Sequence, residues 1–311
     1  MLSRVANRTY WLARYLERAE NTARLINVYS ALLLDLPKSA EIGWDIVLEI
    51  SGSREDFDAT AMTVDEKSIL RFMLEEEGNP NALLSVLNHA RENARTSRDI
   101  VPTEAWRAVN ELCLYAREQL PKAKRARQRS QIMNEIISRV HAVTGMLAGT
   151  MSQGEPYQFI RIGRNLERAD MTTRIIDVAA ATLLAPRKGL DRYDNTLWMA
   201  VLRCLSAYQM YRQYVRRRVN GTDVIEFLMR DHEFPRSFTH CLMQLSDALH
   251  RLPRAEDPVR CNDNLARQLN SIDYAALSYA DIHGLVDELQ VGIATINDSI
   301  STTWFNPAAM E

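Results

Sequence analysis

Apolar and polar positions recur along this chain with the three-to-four-residue spacing of α-helices. Across residues 3–35, a wheel advancing about 100° per residue puts Val5, Leu12, Leu16, Ala19, Ala23 and Ile26 on one side. Asn7, Tyr10, Arg14, Glu17, Arg18, Asn21 and Arg24 gather within about 80° of Arg14 on the other. The same pattern predicts helices over 3–35, 40–51, 64–77, 80–98, 103–119, 126–152, 157–185, 192–218, 222–231, 236–251, 263–274 and 277–302. Pro37, Pro80, Pro102, Pro121, Pro156, Pro186, Pro235, Pro253 and Pro258 punctuate them, because proline lacks the amide that a helix interior needs. Thr63-Val-Asp-Glu66 reads as a capping box, with Thr63 as the N-cap acceptor.

Composition sharpens this into an all-α fold. With 11 Gly and 10 Pro in 311 residues, the chain has little material for hairpin turns or glycine-rich loops. Its 46% hydrophobic and 25% charged residues are ordinary for a globular protein and exclude a disordered or collagenous chain.

The pattern also repeats. Residues 14–28, RYLERAENTARLINV, and 164–178, RNLERADMTTRIIDV, are identical at nine of fifteen positions at an offset of 150. Trp44/Trp198 follow at an offset of 154, and Phe72/Phe227 with Pro80/Pro235 at 155. The expected architecture is a duplicated helical bundle, two tandem repeats of about 150 residues related by a pseudo-two-fold. Gly154-Glu155-Pro156 marks the seam, giving halves 1–153 and 154–311 packed as one unit.

Each repeat carries a charged stripe: Arg14, Glu17, Arg18 and Arg24 in the first, Arg164, Glu167, Arg168 and Arg174 in the second. Three readings are open. The stripes could form a functional cleft or docking face, where arginines hold carboxylate or phosphate groups bidentately and Glu17 or Glu167 serves as a general base. They could be a buried ion-pair network, or solvated faces with intrahelical pairs.

Other chemistry is absent from the sequence. No G-x-G-x-x-G, P-loop or G-x-S-x-G pattern occurs, and the six histidines include no H-E-x-x-H, so neither cofactor nor metal is expected. The net charge of −2 gives no general drive toward nucleic acid. Two local exceptions are the five basic residues within 122–129 and Arg216-Arg217-Arg218, both read as solvated segments. Without a secretory core, a membrane-length apolar run or paired cysteine spacing, the expected setting is cytoplasmic, with no membrane partner.

The opening SRVANRTYWLARYLERAENTARL, the midchain GRNLERADMTTR and the SAYQMYRQY segment at 206–214 resemble the bacterial alpha-E family, an all-helical family of undefined activity. That resemblance implies a circularly permuted ATP-grasp protein as partner, a transglutaminase-like peptidase as a further one, and a role in ATP-dependent amide or peptide bond formation. It carries functional weight to Arg14, Glu17, Arg18 and Glu20, and to Arg164, Glu167, Arg168, Asp170 and Arg174. Tyr10 and Arg24, on the same stripe, complete the set of binding candidates.

Overall fold

The computed structural model describes residues 3–37, 42–183, 193–270 and 272–306, which contain fourteen α-helices and no strand. The first seven are α1 (Ser3–Asp35), α2 (Asp45–Ser51), α3 (Arg54–Asp58), α4 (Glu66–Glu75), α5 (Leu83–Arg95), α6 (Thr103–Ala123) and α7 (Ala126–Thr150). The second seven are α8 (Glu155–Leu183), α9 (Asp194–Cys204), α10 (Tyr208–Tyr214), α11 (Gly221–Arg230), α12 (Phe238–Leu249), α13 (Glu256–Asn270) and α14 (Tyr279–Ile300). No described helix is long and apolar enough to cross a membrane.

The chain divides into two compact units, Arg8–Gly163 and Arg164–Glu311 together with Met1–Asn7, so the division falls inside α1 and α8. In the Arg8–Gly163 unit, α2 packs on α3 and α4, and α4, α5, α6 and α7 pack in succession. α6 and α7 pack on each other, and Val109, Leu112, Ala116 and Leu120 of the first and Met133, Ile136, Val140 and Val143 of the second are all buried. Each large apolar side chain removed from water contributes about 1.5–3 kcal/mol, and the alanines let the helix axes approach. In the Arg164–Glu311 unit, α9 packs on α10 and α11, and α11 to α14 follow one another. Leu265 and Leu269 of α13 and Val286, Leu289, Ile293 and Ile296 of α14 are buried there.

Four expectations about helix limits need correction. Asp65, not Thr63, caps α4: its carboxylate accepts from the Ser68 amide at 2.8 Å, and Thr63 Oγ1 donates to that carboxylate at 2.6 Å. The helix expected over 192–218 is two, α9 and α10, broken at Ser206, whose φ of 56° no α-helix contains. Pro121 does not end α6 but sits in its last turn, where its missing amide costs the helix one bond, to the Arg117 carbonyl, and only two more residues follow. Pro258 lies in the first turn of α13, where its missing amide costs nothing.

Candidate functional site

Most of the charged stripe of α1 is buried, with Arg18 and Arg24 half-buried. Arg14 is 7% exposed and Glu17 3%, while Tyr10, Glu20 and Asn21 are also buried, as is the apolar side of the same helix. Burial of all these positions rules out the solvated-face reading.

Arg14, Arg18 and Glu20 of α1 have partners within the Arg8–Gly163 unit. Arg14 Nη1 donates to the Tyr10 hydroxyl at 3.0 Å, and its guanidinium lies 5.7 Å from the Tyr10 ring centre and 5.4 Å from that of Trp11. Arg18 Nη1 donates to Asn81 Oδ1 at 2.9 Å, reaching the loop before α5. The Glu20 carboxylate accepts from Arg24 at 2.7 Å, one turn on, and lies 3.0 Å from His141 Nε2 on α7. Tyr15 stacks between Trp11 and His89, with ring centres 5.3 and 5.2 Å away. Gly163 of α8 fits directly on this helix: a Cβ there would overlap the Tyr10 carbonyl oxygen and press on the Arg14 side chain.

α8 holds its stripe in a similar state. Glu167 and Asn165 are each 2% exposed, while Arg164 and Arg168 are half-buried. Arg174 Nε donates to Asp170 at 3.1 Å, the same one-turn pair that Arg24 makes with Glu20. Thr172 donates to the Arg236 carbonyl at 2.9 Å, which ties α8 to the loop before α12. The structure thus brings together Tyr10 with Arg14, Glu20 with Arg24, and Asp170 with Arg174.

A family model described as a predicted alpha-helical domain with a conserved ER motif matches residues 1–305. The chain belongs to the alpha-E family. Its sequence contains the Glu-Arg dipeptide twice, at 17–18 in α1 and 167–168 in α8, so the motif naming the family falls on the two buried stripes. Uncharacterized proteins of Mycobacterium bovis and Mycobacterium tuberculosis are 22% identical to it over 323 aligned residues. The match covers 96% of this alpha-E chain but only 35% of each mycobacterial protein, so the chain spans about a third of their length. No solved structure matches it.

Several interacting residues of this alpha-E chain escaped the sequence reading. Arg129 was expected in a solvated run, yet it is 3% exposed. It donates to the Ala123 carbonyl at 3.0 Å, Ser30 Oγ at 3.1 Å and Glu66 at 2.6 Å, with its guanidinium 5.1 Å from the Trp44 ring. Nothing in the sequence separates it from its basic neighbours, because its partners lie on α1 and α4. His141 and Asn81 went unnoticed for the same reason. On the second unit, Asp177, His283 and Asp287 bring their donor atoms within 4.8 Å of one another. His283 Nδ1 lies 2.7 Å from Asp177 and Nε2 3.6 Å from Asp287, and the bond to Asp177 raises the His283 pKa above its ordinary value. The three form a partly exposed clasp between α8 and α14.

Proposed function

We propose that this alpha-E chain is the helical, non-nucleotide-binding component of a cytoplasmic, ATP-grasp-linked system that forms amide or peptide bonds. Its two Glu-Arg helices bind the acyl or amine substrate, or the ligase itself. The observation that carries the reading is the burial of Glu17 and Glu167, 3% and 2% exposed, at the two ER dipeptides. Buried ion pairs stabilise a fold no better than apolar side chains of similar volume, so stability alone does not call for them. A sequence with no phosphate-cradling loop is consistent with ATP chemistry on another chain. The duplication belongs to the same proposal: α2–α7 and α9–α14 have the same order of packing neighbours, which supports repeats 1–153 and 154–311.

A test reconstitutes the chain with a circularly permuted ATP-grasp protein of the same genome and follows ADP release and product mass. The expected result is a stable complex whose ligation depends on this chain. Glu17→Gln or Glu167→Gln should weaken binding of the substrate or the ligase about tenfold while the melting temperature holds, whereas lost turnover with binding and folding retained would make these glutamates catalytic bases. No complex, and no effect of omitting the chain, would overturn the proposal. A scaffold reading is favoured by the partners of Arg14, Arg18 and Glu20 within one unit. It predicts the reverse, a large fall in melting temperature with ligation unchanged.

A further inference from the structure

Arg216-Arg217-Arg218, expected to be merely solvated, lines a cavity of about 540 Å³ together with Arg212, Asn195, Met199, Tyr208 and Val219. The cavity lies wholly within the Arg164–Glu311 unit, bounded by the start of α9, by α10 and by the loop leading to α11. Among the described residues, none of these four arginines makes an ion pair with a carboxylate, whereas most arginines elsewhere in the chain that approach a carboxylate do so at one-turn spacing. All four are exposed, so water and salt screen much of their mutual repulsion; together they still give this concavity a positive lining that favours an anion.

The loop that presents them is held at both ends. The Val215 amide continues α10 by donating to Tyr211 at 2.8 Å, and Arg216 Nε donates to the Gln213 carbonyl at 3.1 Å. At the other end Asn220 caps α11, accepting from the Asp223 amide at 2.9 Å. Gly221 seats that end on Trp198, where a Cβ would stand 2.7 Å from the indole ring. Arg216 itself has φ 52°, a left-handed conformation unusual for a residue with a side chain. Asn195 also lines the cavity, and its Oδ1 is buried with no hydrogen-bond partner among the described residues.

We infer that this cavity is a binding site for a phosphorylated small molecule that also carries a hydroxyl or amine. Planar guanidiniums match the geometry of phosphate oxygens, and a single carboxylate would leave most of them unanswered. Asn195 Oδ1 is positioned to accept from the ligand's hydroxyl or amine. The volume is within the usual range for small-molecule sites, about 300–1,000 Å³. This site is separate from the Glu-Arg helices and does not depend on the function proposed for them.

Calorimetric titration of the whole chain with pyrophosphate and with glycerol 3-phosphate tests it, at fixed ionic strength. Saturable one-site binding is expected, weakened about tenfold or more in Arg212→Gln and in Arg216→Gly. Arg216→Gly also separates binding from folding, since glycine accepts that backbone conformation freely and the melting temperature should hold or rise. No saturable heat from either probe, or equal affinity in both variants, would overturn the inference. Single-stranded oligonucleotide binding at least tenfold tighter than either probe would overturn it too, in favour of nucleic acid.

Discussion

Arg129 illustrates how far a side chain's role depends on distant residues. Its guanidinium bonds α1, α4 and the end of α6, and it covers Trp44. Arg129→Ala removes these bonds and should lower unfolding free energy by about 3 kcal/mol in urea denaturation. Arg129→Lys should restore little of it, because an ammonium has neither the fork nor the flat face. At His283 the expected effect is on pH dependence. The bond to Asp177 raises its pKa above the ordinary 6.5, so the folded state binds the proton more tightly than the unfolded chain. The clasp therefore contributes fully below that ordinary value and fades as pH rises through the raised one. His283→Gln should flatten the corresponding part of a plot of melting temperature against pH, by a small amount because the imidazole is mostly exposed. At this scale the sequence identified the stripe residues of α1 and α8 but not their burial, and it misread Arg129 altogether.

At the scale of elements, periodicity predicted most helices well, because α-helical hydrogen bonds join near neighbours and leave a local signature. α1 begins and ends where the pattern places it, at 3 and 35. The misses have local-against-tertiary causes. The break at Ser206 lies inside an unbroken apolar period, and Pro121 and Pro258 lie where a helix end tolerates them. Glycine positions show the same limit. Gly163 looks like a weak point within α8, yet its missing Cβ is what lets that helix lie on the backbone of Tyr10. Gly163→Ala should cost about 3 kcal/mol in chemical denaturation despite alanine's better helix propensity. A neutral or stabilising result would mean that the two helices do not approach so closely.

For the whole molecule, the relevant division is Arg8–Gly163 and Arg164–Glu311 with Met1–Asn7. The first turns of α8 contribute Phe159, Ile160 and Ile162 to the buried interior, at 0%, 4% and 0% exposure. A fragment ending at Gln153 lacks them, whereas one ending at Gly163 keeps them. Circular dichroism melts should show a cooperative transition and a higher midpoint for the longer fragment, and equal midpoints would contradict the division.

Sequence by itself determined the all-helical class, the internal likeness of the α1 and α8 segments with their two Glu-Arg dipeptides, and the match to the alpha-E family over residues 1–305. These are properties of residue order and of hydrogen bonds closed within a few residues. Tertiary structure alone decided that Glu17 and Glu167 are buried, that Arg129 is internal, and that Arg212 and Arg216–218 surround a cavity. The same basic composition at 122–129 and 216–218 meets carboxylates and an indole in the first case and a concave space in the second. Burial and charge compensation depend on which distant segments pack together, and no local period along the chain records that.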